Sequence, residues 1–141
     1  MKRIAKYMFI TLLCAVCLIA FSSCKGGING EEAKATVNEL FDAVVEEDYE
    51  RANALFHPDR LTDSSEFFLM IEEESGLDFQ EGIEIVKTTG VSSAYYDSEV
   101  GGSRYELTML VTISDSDLSF TVELVKNENG YGVYNLHLKG A

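Results

Sequence analysis

The stretch Gly101–Ser114, GGSRYELTMLVTIS in one-letter code, decides the fold of this chain. It opens with two adjacent glycines, which are a strong signal for the turn of a β-hairpin. From Tyr105 onward a large apolar residue occupies every second position, and most of the residues between them are polar. Such alternation is typical of a strand that buries one face and exposes the other. The stretch therefore predicts a hairpin that belongs to an antiparallel sheet.

The same period of two extends to both sides of this stretch. Upstream, Ile83 and Ile85 begin a predicted strand that bends at Gly90 and ends near Tyr96. Downstream, turns are expected at 115–117 and 127–130, and strands at 118–124 and 131–139. In the last strand the alternation slips, which predicts a bulge or burial on both faces. The sheet is therefore expected to have about four antiparallel strands.

Three helices are predicted before the sheet. Over residues 31–47 the apolar positions fall on one stripe of a helix, the longest of the three. Asp48 is the expected N-cap of a second, shorter helix that Pro58 ends, because proline disfavours a helical conformation of the residue before it. Asp63 is the expected N-cap of a third helix. This helix stops at Gly76, since glycine is favoured just after a helix end.

Helices that precede a meandering antiparallel sheet predict one α+β domain over residues 31–141, with the helices packed on one face of a curved sheet. The long first helix, the segment at 48–58 and the closing strand at 130–136 resemble the nuclear transport factor two-like superfamily. The resemblance implies a cone-like fold that encloses a pocket. Some members use this pocket for isomerisation or dehydration, and many others use it for binding. A cystatin-like fold, with a helix on a sheet, is the alternative.

Residues 1–23 have the composition of a cleaved signal peptide. Lys2, Arg3 and Lys6 precede an apolar run at 8–21, and small residues follow it. The run is shorter than the roughly 20 apolar residues that a membrane-spanning helix needs. A permanent transmembrane helix is therefore the less favoured interpretation.

The four residues Phe21-Ser22-Ser23-Cys24 resemble the lipobox of bacterial lipoproteins. The resemblance implies cleavage after Ser23 and attachment of a diacylglyceryl group to the sulfur of Cys24. Because two acyl chains hold a protein stably at a bilayer, this lipid would anchor the protein in a bacterial cell membrane or outer membrane, on the extracytoplasmic side. An ordinary secretory signal followed by an unmodified cysteine is the alternative.

Residues 24–30 are expected to comprise the lipidated Cys24 and a flexible, glycine-rich linker. Cys14 and Cys17 lie within the predicted signal peptide, so Cys24 would be the single cysteine of the mature chain. No disulfide within one mature chain is expected.

The chain is strongly acidic, with 11 Lys and Arg against 24 Asp and Glu and a formal net charge of −13. Loss of the signal peptide would make this charge more negative still. Proteins bind nucleic acid mainly through cations that neutralise phosphates, so a nucleic-acid partner is excluded. An anionic membrane surface would also repel the folded part. The domain is therefore expected to stand off the bilayer on its lipid tether.

Four residues are candidates for the lining of a pocket. His57 and His137 are the two histidines, and imidazole is the side chain best suited to general acid–base catalysis near neutral pH. Each also has a plain structural interpretation, as a helix C-cap for His57 and as a solvent-exposed strand residue for His137. Tyr105 and Tyr134 belong to a set of aromatic residues that either line a pocket or fill the core. No catalytic set, metal site or cofactor is predicted, because no spacing links either histidine to a carboxylate.

The favoured function is a non-catalytic binding or interaction module, anchored to a membrane through Cys24, that takes a small apolar or a protein ligand. An isomerase or dehydratase that uses a histidine in the cone pocket is one alternative, so whether the protein is an enzyme stays open. A structural subunit of an envelope complex is the other alternative.

Overall fold

The computed structural model describes residues 26–60 and 63–140, in which helices pack against a four-stranded antiparallel sheet. The α+β prediction is confirmed. The elements are, in order, helix α1 (Gly30–Val45), helix α2 (Tyr49–Asn53), helix α3 (Ser64–Ser75), a 3-10 turn (Phe79–Glu81), and strands β1 (Glu84–Asp97), β2 (Gly102–Ile113), β3 (Ser116–Asn127) and β4 (Gly130–Gly140). The strand order in the sheet is β1-β2-β3-β4, as expected for a meander.

The predicted helix boundaries at Asp48, Asp63 and Gly76 are confirmed. Asp48 and Asp63 cap α2 and α3, each accepting a hydrogen bond from a first-turn amide, at 3.1 and 2.9 Å respectively. Gly76 ends α3 with φ of 71°, a left-handed conformation that glycine adopts without a steric penalty. Two capping side chains and the backbone freedom of one glycine therefore define these helix ends.

The start of α1 differs from the expectation. Asn29 is its N-cap and accepts a hydrogen bond from the amide of Glu32 at 2.7 Å. Ile28, just before it, packs against the hydrophobic core. The stretch at 28–30 therefore belongs to the folded domain, and the linker is shorter than its glycine content suggested.

Helix α2 also ends earlier than predicted, at Asn53, because the residues after it pair with strand β4. The amide of Val133 donates to the carbonyl of Leu55 at 2.8 Å, and the amide of His57 donates to the carbonyl of Val133 at 2.9 Å. Phe56 and Val133 thereby form a parallel bridge. The segment at 55–57 lies along the outer edge of β4.

Phenylalanine rings fill the centre of the core between the helices and the sheet. Phe68 packs edge-on against Phe79 at 5.2 Å between ring centroids, and Phe41 packs in the same way against Phe120 at 5.0 Å. Phe68 and Phe120 are stacked at 6.4 Å and connect the two pairs. The clefts that the described residues form lie around this filled centre.

The sheet has one regular and two irregular interfaces. Strands β2 and β3 pair in an unbroken register. Between β3 and β4 the register shifts once, opposite Tyr134, which confirms the predicted bulge in the last strand. Between β1 and β2 it shifts three times, once at the predicted bend near Gly90.

The predicted signal peptide, the lipobox and Cys24 lie outside the described residues. Within 26–60 and 63–140, no helix combines the length and the apolar character needed to cross a membrane.

Candidate interaction surface on the first strand

Strand β1 is exposed along almost its whole length, in contrast to the strand that it pairs with. Every second residue of β2 is buried, whereas in β1 Gly90, Ala94 and Asp97 are partly buried and the other positions are exposed. Among the described residues, all exposed large apolar side chains except Leu69 and Met70 belong to β1. They are Ile85, Val86, Val91, Tyr95 and Tyr96.

The middle of β1 also carries no charge. No charged residue occurs from Thr88 to Tyr96, although 25% of the chain is charged. A scattered exposed apolar residue is ordinary, but a contiguous apolar patch on a protein surface is typical of an interaction site. We call residues 84–97 the open strand.

Two apolar side chains of the open strand, Ile85 and Val91, face the helices and yet remain exposed. Residues directly opposite each other in an antiparallel pair place their side chains on the same face. Four such pairs join the open strand to buried residues of β2: Ile85 with Val111, Thr88 with Met109, Val91 with Leu107, and Ser93 with Tyr105. Val91 is nevertheless 56% exposed. Helix α1 therefore covers β2 on this face and leaves β1 uncovered.

A groove of about 170 Å³ lies between α1 and the open strand. Its floor comes from β2 and its two walls come from α1 and β1. The lining residues are Lys34, Val37 and Asn38 of α1, Ile85 and Thr88 of β1, and Leu107 and Met109 of β2. An apolar floor with polar groups at the rim suits an apolar side chain of a ligand.

The backbone of the open strand offers hydrogen-bonding groups as well. Within the part of the chain that the structure describes, β1 pairs with β2 alone, so its other edge has unpaired amides and carbonyls. Residues 90–94 keep a continuous register with 104–108 between two irregularities. This regular stretch is suited to accept another extended segment.

His57 lies away from this groove and is fully buried. Its Nδ1 accepts the amide proton of Asp59 at 3.0 Å, so its Nε2 carries the ring proton and donates to the carbonyl of Gly130 at 3.0 Å. Both nitrogens are therefore occupied by backbone groups. His57 fixes the segment after α2 to the hairpin between β3 and β4.

The other three candidate residues lie at three different places. Tyr134 packs edge-on against His57, with 5.8 Å between ring centroids, and lines a small surface cleft of about 90 Å³. Tyr105 is buried in the core on β2. His137 is exposed and pairs with Thr121, on the sheet face opposite the helices. The structure thus brings His57 and Tyr134 together and leaves Tyr105 and His137 apart.

The groove residues were not identified from the sequence. Periodicity showed that Ile85 belongs to a strand, but it does not show how far a helix covers that strand. The uncharged run from Thr88 to Tyr96 in an acidic chain was the available signal.

Comparisons with protein-family models, with curated proteins and with solved structures gave no match to this chain.

Proposed function

We propose that this protein is a membrane-anchored, extracytoplasmic lipoprotein whose domain is a non-catalytic binding module, and that the open strand binds an extended segment of a partner protein. The observation that carries the proposal is the concentration of exposed apolar side chains on one edge strand, whose middle carries no charge from Thr88 to Tyr96.

The mode of binding is the addition of a strand to the sheet. The partner's main chain pairs with the free edge of residues 90–94, and every second side chain of the partner lies on the helix-facing side of the sheet, where the groove beside α1 opens. In such complexes main-chain hydrogen bonds supply affinity and the pockets for alternate side chains supply specificity. A groove of about 170 Å³ has room for one or two aliphatic side chains.

The charge distribution favours a neutral, apolar segment as the partner. The net charge of −13 repels an acidic ligand, but the open strand has no carboxylate from Thr88 to Tyr96. Lys34, which lines the groove, is 3.8 Å from Glu31 in an exposed ion pair, so its charge is partly compensated. A partner segment with alternating apolar and uncharged polar residues fits this surface.

The geometry of the histidines supports binding over the isomerase or dehydratase alternative. Both ring nitrogens of His57 are held by backbone groups, and His137 lies on the opposite face of the sheet from the helices. A general base needs a free nitrogen within reach of the substrate proton, which His57 does not offer. The cone-like, nuclear transport factor two-like arrangement is part of the same proposal and is supported by the helix-first order of the elements.

The anchor is proposed at Cys24, on the strength of the lipobox resemblance and the short apolar run before it. The test is metabolic labelling with a radioactive fatty acid, together with partition between detergent and aqueous phases. Labelled wild-type protein is expected in the detergent phase, and Cys24→Ala should lose both the label and the partition. Equal labelling of the two proteins would contradict the anchor.

Binding by the open strand is tested by photocrosslinking in intact membranes, with a photoreactive amino acid at position 91 of the full-length protein. Position 92 is the matched control, because Ser92 is the next residue of β1 and pairs with Glu106 on the opposite face. We expect position 91 to crosslink to one apolar, extended segment of a protein. A photoreactive group at position 85 should crosslink to the same segment, and Val91→Lys should abolish this second product. Equal crosslinking from positions 91 and 92, or none from 91, would refute the binding mode.

A further inference from the structure

Two consecutive tyrosines at the end of the open strand occupy a β-bulge. Ala94 pairs with Arg104 and Asp97 pairs with Gly102, so Tyr95 and Tyr96 lie opposite the single residue Ser103. Consecutive residues of a regular strand point to opposite faces, and a bulge removes that alternation locally. The two tyrosines are 76% and 68% exposed, the largest exposures among the apolar residues of β1.

Both tyrosines line one cleft, which confirms that the bulge brings them to the same place. The cleft has a volume of about 280 Å³. Gly26, Gly27, Ser103 and Lys126 also line it. Ser103 donates a hydrogen bond to the carbonyl of Tyr95 at 2.7 Å and so holds the bulge in place.

The domain begins beside the same two rings. A Cβ atom at Gly26 would clash with the hydroxyl of Tyr95, and one at Gly27 would lie 3.5 Å from the Tyr95 ring. Immediately afterwards Ile28 packs on the core and Asn29 caps α1. The point at which the chain enters the domain thus lies beside the Tyr95 ring.

Cys24 is two residues before Gly26, so covalent geometry places it within about 7 Å of chain from this point. A lipid on Cys24 would therefore hold the two tyrosines at a similarly short distance from the lipid headgroups. We propose that Tyr95 and Tyr96 contact the headgroup region of the membrane and orient the domain on it. This inference rests on the proposed lipid anchor at Cys24.

The chemistry of these residues suits that location. Tyrosine combines an apolar ring with a polar tip and is enriched where membrane meets water. Asp97 and Glu99, which follow in the chain, both lie 3.4 Å from the guanidinium of Arg104, which is also 3.2 Å from Glu123. The single positive charge of Arg104 therefore offsets only part of their negative charge. Lys126 adds a cation to the cleft itself. The two uncharged rings and Lys126 are therefore the groups at this end of the strand that suit the headgroup region, and they lie beside carboxylates that Arg104 neutralises only in part.

This orientation differs from the expectation that the acidic domain stands off the bilayer. The tether is short and its end is packed on Tyr95, so repulsion of the acidic surface can rotate the domain but cannot move this end away. The open strand then lies next to the membrane, and its partner segment binds close to the bilayer surface.

The test uses the absence of tryptophan from the chain, which makes a single indole an unambiguous reporter. Full-length Tyr96→Trp is purified from membranes and reconstituted in phosphatidylcholine vesicles that contain lipids brominated in their acyl chains. His137→Trp is the matched control, because His137 is exposed on another strand and on the face opposite the helices. Flotation of the vesicles and indole fluorescence are measured on the same samples.

We expect both variants to float with the vesicles, and the emission of Tyr96→Trp alone to shift to shorter wavelength and to be quenched by bromine. Flotation without a shift or quenching of Tyr96→Trp would overturn the inference and leave the anchor intact. Failure of both variants to float would overturn the anchor and the inference with it. Tyr95→Trp is the second reporter if circular dichroism shows that Tyr96→Trp does not fold.

Discussion

Strands β1 and β4 are the two edges of the same sheet, and they differ in how far the rest of the chain covers them. At β4, residues 55–57 add to the outer edge through two backbone hydrogen bonds to Val133. At β1, the described residues provide no such segment, and the apolar side chains remain exposed. A short extended segment of the chain thus closes the β4 edge by backbone pairing. We propose the same kind of pairing between a partner segment and the β1 edge.

The closed edge depends on close approach of two backbones. A Cβ atom at Gly132 would lie 2.6 Å from both the amide nitrogen of His57 and the carbonyl oxygen of Leu55. Only glycine therefore fits at this position, because any larger residue would clash with the backbone of residues 55–57. Asp59 adds side-chain contacts, accepting hydrogen bonds from Asn127 and Asn129 at 3.0 Å each. Edge strands that are covered in this way do not pair with other chains.

The largest effect is expected from His57→Ala. It removes a fully buried ring, leaves the carbonyl of Gly130 without its donor, and should lower the free energy of unfolding by about 2–4 kcal/mol. Chemical denaturation measures the loss, and His137→Ala is the control, with a change of about 0.5 kcal/mol or less. Equal losses in the two variants would show that His57 does not hold the closed edge.

Gly132→Ala is expected to have the next largest effect. The added methyl group meets backbone atoms that cannot rotate away, so overpacking should cost about 1–3 kcal/mol of unfolding free energy. Gly140→Ala is the matched control at the end of the same strand, where nothing lies within 4 Å of the added atom. If Gly132→Ala is as stable as Gly140→Ala, the closed edge has room for the added methyl group, contrary to the geometry.

Tyr131→Phe tests a contact between β4 and α1 and should cost about 0.5–1.5 kcal/mol at neutral pH. The hydroxyl of Tyr131 shares a hydrogen bond of 2.8 Å with Thr36. Burial raises the pKa of Tyr131 above its usual value of 10.0, although the hydrogen bond to Thr36 lowers it in part. Because this pKa is raised in the folded state, the contribution of Tyr131 to the free energy of unfolding is fully present below pH 10. This contribution is lost as the pH rises further.

The alkaline loss of stability should therefore be smaller in Tyr131→Phe than in the wild type. It should not vanish, because burial and the nearby Glu72 also raise the pKa of Tyr49. Denaturation midpoints between pH 8 and 11 measure the difference. Parallel curves for the two proteins would contradict the assignment of this pH dependence to Tyr131.

The smallest effect on stability is expected on the open strand. Val91→Lys places a long, flexible side chain at a position that is 56% exposed, and it should change the unfolding free energy by about 0.5 kcal/mol or less. Ser92→Lys is the matched control with the same charge. A loss near that of Gly132→Ala would mean that β1 is part of the core, and the contrast between the two edges would disappear.

Much of the fold could be predicted because it depends on local signals. Alternation at 105–113 identified the central strand, and the side chains of Asp48 and Asp63 identified two helix starts, since a capping side chain acts within its own first turn. The bulge in β4 was visible as a slip in that alternation. These features need no knowledge of distant parts of the chain.

The extent to which each edge strand is covered could not be predicted, because it depends on contacts between distant residues. The exposure that defines the candidate site is therefore not visible in the sequence. Helix α2 stops at Asn53 since Leu55 and His57 bond to Val133, and no pattern near Leu55 reveals that pairing. The burial of His57 depends on Gly130, 73 positions away. The exposure of β1 likewise follows from the extent to which α1 covers the sheet, which is a property of the packed domain.

The closure of the β4 edge also has a consequence for the order of folding. The hairpin of β2 and β3 is closed by Ser114 and Asp115, both with positive φ as in tight two-residue turns, and its register is unbroken. His57 and Gly130, in contrast, must close a long loop, whose entropic cost grows with length. We expect the hairpin to form early and the His57 contact to form after the rate-limiting step. Substitutions at His57 should then leave the folding rate unchanged and accelerate unfolding, so this residue governs how long a folded molecule persists.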